Sequence, residues 1–223
     1  MRVVILLSDP GHPIAAKLHA WAERTRRAGH YVSVLNQVSE LPPAGDLLFL
    51  VSFGEILPAG AAARFRHALV LHASDLPRGR GWSPHVWQVL AGSSEVTVSL
   101  ISAAEKVDRG DIWKKERVDL VGHELFDEIN ELVFEAEMRL MDYAMSGLDD
   151  ARRVAQDTTG IEPTYHPRRK PEDSRLDPNA SIIEQFDLLR VCDPDRFPAF
   201  FEHRDTTYGV RLWKLAEGLE HES

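Results

Sequence analysis

"HALVLHASDLPRGRGWSPHVWQVLAG", residues 67–92, contains a strand, a loop and a helix in one stretch. Residues 67–73 are a continuous apolar run, which predicts a strand buried on both faces. Residues 82–92 read as a helix, with Ser83 as its cap, Pro84 at the first helical position and Gly92 just past its end. Between the two lie His72, Ser74, Asp75, Pro77, Arg78 and Arg80. In open α/β sheets, ligands bind outside the carboxyl ends of the strands. A histidine that ends a buried strand and opens a polar loop is well placed for that crevice.

The flanking sequence repeats the alternation. "RVVILLSD" (2–9), "HYVSVLN" (30–36) and "DLLFLVSFG" (46–54) are three more apolar strands. "IAAKLHAWAERTRRAG" (14–29) has helical apolar spacing and stops at Gly29. Residues 55–65 give a turn and a short helix. Residues 95–108 alternate and are β-branched, with 110–120 as an antiparallel partner. Residues 123–148 form one long amphipathic helix. The pattern predicts an α/β fold: a mostly parallel sheet, helices on both faces and an added antiparallel element. Composition shifts after Asp150. Residues 160–181 are rich in Pro, Arg and Asp and read as irregular, 182–192 as a short helix and 197–218 as a hairpin. The expected division is a main domain at 1–150 and a short C-terminal extension at 151–223.

Bulk properties narrow the function classes. Of 223 residues, 43% are hydrophobic and 27% charged, as in a soluble globular protein. A formal charge of −9 argues against binding to the phosphates of a large nucleic acid but leaves room for a small anionic ligand. Cys192 is the one cysteine, so no internal disulfide forms and a cytoplasmic location is expected. The apolar run at 3–7 is too short for a signal peptide, and no stretch approaches a membrane helix.

A lone histidine at a strand end is weak evidence, because most such residues are packed or solvated. Asp108 strengthens it. It sits in "EKVDRGDI" (105–112), just before a tight Arg-Gly turn, where a carboxylate can orient a histidine and hold it charged. Arg78 and Arg80 read either as solvated loop charges or as guanidinium forks for a phosphate or carboxylate. Trp82 and Trp87 read as core residues of the helix, and Trp82 could also stack on a ring. His67 and His72 fall on opposite strand faces, which disfavours a metal pair.

"H-A-S-D-L-P-R-G-R-G-W-S-P" followed by "V-D-R-G-D-I" resembles the formyltransferases that use 10-formyltetrahydrofolate. That family includes glycinamide ribonucleotide transformylase, methionyl-tRNA formyltransferase and the sugar N-formyltransferases. The likeness covers about residues 1–145. It implies the Rossmann-like formyltransferase fold, with 1–150 as the catalytic domain and a loop, helix and β-hairpin in the extension. It implies that an amine attacks the formyl carbon, that His72 stabilises the oxyanion, and that Asp108 holds His72 charged and relays a proton through water, without a metal. It also assigns Phe53, Gly54, Ile56 and Leu57 of "SFGEILP" (52–58), with Val107, to the folate donor. Ser74, Arg78, Arg80 and Trp82 go to the acceptor.

Position 70 departs from the family pattern. Val70 stands where the family has asparagine, on the strand face that His72 shares. Ser52, Ser74 and Asn130 are the candidate replacement donors. The alternatives are a site that works with His72 and Asp108 alone, or one that binds without turnover. The expected function is formyl transfer to the amine of a nucleotide-linked amino sugar, because "YHPRRKPEDSRLD" (165–177) resembles the arginine-rich segment of the sugar enzymes. Formyltetrahydrofolate hydrolysis is the runner-up, and a non-catalytic binding protein the third reading. The expected partners are small molecules, with no nucleic acid or membrane, and a homodimer is the assembly considered.

Overall fold

A computed structural model describes residues 1–149 and 151–215. Six strands form the central sheet: β1 (Arg2–Leu6), β2 (Tyr31–Leu35), β3 (Gly45–Leu50), β4 (Phe65–His72), β6 (Glu95–Ser102) and β7 (Ile112–Asp119). The strand order is β2-β1-β3-β4-β6-β7. The first four strands are parallel, and β6 and β7 add antiparallel to β4. This is the mainly parallel α/β sheet with an antiparallel element that the apolar runs predict.

The two faces are covered unequally. Helices α1 (Ala15–Arg27), α2 (Pro84–Leu90) and α3 (Phe126–Met145) all pack on one face, against Val3, Ile5, Phe49, Leu69 and Leu71. The opposite face carries Val4, Leu6, Leu48 and Leu50, covered by single-turn 3-10 helices at Val38–Glu40 and Ala62–Arg64 and by Phe53 and Leu57. The expectation of helices on both faces therefore holds for α-helices on one face only. The connection 36–44 carries Pro42 and Pro43, and 51–64 carries Gly54, Pro58 and Gly60, residues that interrupt a helix, and each forms one 3-10 turn. Each fully buried Leu or Phe in these layers contributes about 2–3 kcal/mol.

Helix α3 shows why its long pattern was readable. Ile129, Val133, Phe134, Ala136, Leu140, Met141 and Ala144 form its buried stripe, at spacings of three and four. Glu137 lies in the same stripe and is 5% exposed. The cap of α2 differs from expectation. Ser83 does occupy the N-cap, but with a left-handed φ of 45° and no side-chain capping bond.

The extension is not a separate tail. Residues 160–181, read as irregular, contain the two-residue strand β8 (Tyr165–His166), which pairs in parallel with β5 (Arg80–Gly81). Helix α4 (Phe186–Val191) and the hairpin of β9 (Ala199–His203) and β10 (Thr206–Val210) follow. The end of the predicted hairpin, 216–218, lies outside the described residues. Arg190, 3% exposed, ties α4 to the entry of α3 through Glu124 at 3.6 Å and bonds Asp187 at 2.7 Å. No described helix is long and apolar enough to cross a membrane.

Candidate active site

Strand β4 delivers His72 to the carboxyl end of the parallel strands. Alternation sends Leu69 and Leu71 to the α-helical face and Val70 and His72 to the other. His72 is 7% exposed. Its Nε2 donates to the Gly79 carbonyl at 2.8 Å. Its Nδ1 faces Asp108 Oδ1 at 3.5 Å. An imidazole between two acceptors satisfies both only when both nitrogens carry hydrogen.

Asp108 is held from several sides. Its backbone has a φ of 56°, uncommon for a residue other than glycine. Its Oδ2 accepts the Gly81 N–H at 2.8 Å. Two residues on, Gly110 allows the turn to close on β6, because a Cβ there would lie 1.6 Å from the Ser102 carbonyl oxygen. The motif "VDRGDI" therefore encodes a carboxylate on a turn pressed against the sheet.

The loop that carries the Gly79 carbonyl is fixed by the extension. Gly79 N–H donates to Thr164 Oγ1 at 2.8 Å, and Arg80 N–H to the Thr164 carbonyl at 2.9 Å. Gly81 has a φ of 98°, and a Cβ there would meet the His166 carbonyl oxygen at 2.3 Å. Only glycine permits this approach of two backbones.

The sequence-derived candidates separate into groups. His72, Asp108 and the 79–82 loop come together. Trp82 is 43% exposed, not in the core, and its ring stands against Gly54 and under the Arg168 guanidinium. Trp87 stacks on His166 at 5.7 Å. Phe53 and Leu57 pack on the sheet, while Ile56 and Val107 are exposed, at 72% and 58%. Arg78 is exposed, with no side-chain bond among the described residues. Arg80 is 6% exposed and bonds Gln156 and Tyr165 through Nε, Nη1 and Nη2, so it ties the loop down and is not an open anion fork. Tyr165 accepts from both Arg80 and Arg109, which lowers its pKa, Arg80 contributing most.

Val70 is half-buried against Leu76, Ile101 and Ile112. Of the three replacement donors, Asn130 lies with His85 on the α-helical side. The Ser74 hydroxyl is buried without a partner. Ser52 is exposed just past the Leu50–Val70 pair, with a φ of 44°. Of the three, Ser52 is the exposed one.

Sequence reading missed His85, Gln156, Thr164 and Tyr165. His85 Nδ1 is buried and unpartnered, and burial, followed by neighbouring His12 and His72, pushes the ring down to about 4. It is neutral at physiological pH. For Thr164 and Tyr165 a faint signal existed, a β-prone pair between prolines. Gln156 had none, since its partner Arg80 is 76 residues away in sequence.

The mainly parallel sheet, with His72 at the carboxyl end of β4 and Asp108 facing it, defines an α/β protein with a polar pair where ligands of open α/β sheets bind. Residues 12–145 match the formyl transferase family, and the chain belongs to it. A methionyl-tRNA formyltransferase from Alkaliphilus oremlandii is 25% identical over 82% of this chain and 57% of its own length. The chain thus spans little more than half of that relative. The structure of a methionyl-tRNA formyltransferase from Clostridium thermocellum superposes with a TM-score of 0.78 at 20% identity, covering 98% of this chain and 95% of the other. A likely sugar N-formyltransferase from Mycobacterium tuberculosis superposes with a TM-score of 0.71 at 18% identity, covering 97% and 98%. At these identities the two structures speak for the shared fold.

Proposed function

We propose that this chain transfers a formyl group from 10-formyltetrahydrofolate to the amine of a nucleotide-linked amino sugar. The observation that carries the reading is the His72 ring, held between the Gly79 carbonyl and the Asp108 carboxylate at the end of β4. The acceptor nitrogen attacks the formyl carbon, and the carbonyl electron pair moves onto oxygen. That oxyanion takes a hydrogen bond from His72 on its Nδ1 edge, where the 3.5 Å contact to Asp108 is the weaker of the two. The Ser52 hydroxyl supplies the second donor that Val70 cannot. The attacking nitrogen loses its proton through water to Asp108. The oxyanion pair then re-forms the carbonyl as the bond to N10 of the folate breaks, N10 takes the proton from Asp108 through water, and tetrahydrofolate leaves.

Donor and acceptor are assigned to different walls. Phe53, Gly54, Ile56, Leu57 and Val107 are assigned to the donor side. Arg78, Trp82 and the exposed Arg168 over its ring are assigned to the acceptor side, where guanidiniums suit a diphosphate, while Ser74, with its hydroxyl buried, drops out. The net charge of −9 favours a small acceptor over a tRNA, whose binding draws on many basic contacts.

The test is an acceptor panel. Protein and 10-formyltetrahydrofolate are incubated with nucleotide-linked 3-amino and 4-amino sugars and with methionyl-tRNA, and products are read by mass. A formylated sugar supports the assignment. Formylated methionyl-tRNA moves the acceptor, and tetrahydrofolate with free formate makes the protein a hydrolase. No turnover makes it a binding protein, the outcome that Val70 would then explain.

A further inference from the structure

Gln156 opens the single-turn helix Gln156–Thr159 of the extension and is 5% exposed. Its amide makes four hydrogen bonds. Oε1 accepts from Arg80 Nε at 3.2 Å and from Nη2 at 2.6 Å. Nε2 donates to the Asp108 and Gly110 carbonyls, both at 2.8 Å. The orientation is fixed by chemistry, since a guanidinium only donates and a carbonyl only accepts. We infer that Gln156 is a positioning residue for formyl transfer, setting the contact between Asp108 and His72 from outside the catalytic loop. The inference rests on the proposed roles of those two residues.

Each bond of the amide reaches one half of the pair. Through Arg80 it holds the 79–81 loop, which gives the Gly79 carbonyl to His72 Nε2 and the Gly81 N–H to Asp108 Oδ2. Through Nε2 it holds the turn that bears Asp108 in its left-handed conformation. On the far side that turn already abuts the Ser102 carbonyl at Gly110, so it is gripped between β6 and Gln156. Loss of the amide releases the turn and the loop together. A side chain that served stability alone would lower the unfolding temperature and leave the rate per folded molecule unchanged.

The test compares Gln156→Leu and Gln156→Glu with the wild-type full chain. Steady-state kinetics should show kcat reduced on the order of 10²-fold, the scale of an ångström-sized misplacement, with KM for the folate nearly unchanged. Gln156→Glu keeps the Arg80 contact as an ion pair but turns a carboxylate oxygen onto two carbonyls, so it separates rate from folding should the leucine variant unfold. Arg80→Met combined with Gln156→Leu should be no slower than the worse single variant, because both cut one chain of contacts. Wild-type kcat in folded Gln156 variants, or fully additive losses, would overturn the inference while leaving formyl transfer intact. If the wild type transfers nothing, the imidazole 15N resonances of His72 decide. They should shift in Gln156→Leu, and unchanged resonances would overturn the inference.

Discussion

Glu137 gives the fold a pH dependence that can be worked from the structure. It lies in the buried stripe of α3, 5% exposed, with Oε2 unpartnered. Burial pushes its carboxyl from 4.5 up to about 8. The unfolded chain releases this proton near 4.5, whereas the folded chain keeps it until about 8. Between those values the unfolded state binds fewer protons, so unfolding becomes easier as pH rises. The group's contribution is fully present below the unfolded value and is lost by the folded one. The slope is about 1.4 kcal/mol per pH unit, and the whole window is worth on the order of 3–5 kcal/mol. Glu137→Gln removes the titration and leaves a neutral side chain of the same shape. Urea unfolding of both proteins from about pH 5 to about pH 8.5 isolates the effect in the difference curve. The variant should gain on the wild type steadily with pH and level off above about 8. The amide adds a constant offset, so the slope is the readout. A flat difference curve would refute the reasoning, because a carboxylate already ionised in the fold gives no such slope.

Asp108→Asn should leave the fold intact, since the amide oxygen still accepts the Gly81 N–H. Its NH2 would face Nδ1 and suit a neutral His72, and turnover should fall on the order of 10²–10⁴-fold in the steady-state assay. Gly81→Ala would put a Cβ 2.3 Å from the His166 carbonyl oxygen at a φ of 98°. It should cost about 2 kcal/mol or more in thermal or chemical unfolding and lower the rate as well, by parting β5 from β8. Ser52→Ala should slow transfer on the order of 10²-fold if its hydroxyl is the second oxyanion donor. Val70→Asn in that background should recover part of the loss, at a stability cost of about 1–3 kcal/mol for an amide set against Leu76, Ile101 and Ile112.

Elements whose information is local were legible in the chain. The apolar runs at β1, β3 and β4 and the spacing in α3 state their own periodicity. His72 was readable because it ends β4 and opens a polar loop, and Asp108 because it precedes an Arg-Gly turn, although β6 stops at Ser102 and not at the expected 108. The errors came where distant backbone decides. Arg80 looks like a solvated loop charge until β8 arrives from residues 165–166 and Gln156 caps its guanidinium. Trp82 looks like a helix core residue until the left-handed Ser83 starts α2 one residue later and leaves the ring outside. Helices on both faces were the expectation for a parallel sheet, but 36–44 and 51–64 each form only a single 3-10 turn. Gln156 is polar and unremarkable in sequence, and its three partner residues, Arg80, Asp108 and Gly110, come from two other segments.

The central claim is that His72, supported by Asp108, carries the transfer of a formyl group. The most direct measurement is the release of tetrahydrofolate together with formation of the formylated amino sugar, in the wild type and in His72→Ala. The wild type should form the two products in equal amounts, and folded His72→Ala should form neither above background. Equal rates in the two proteins, or no formylated acceptor from the wild type with any amine, would contradict the account.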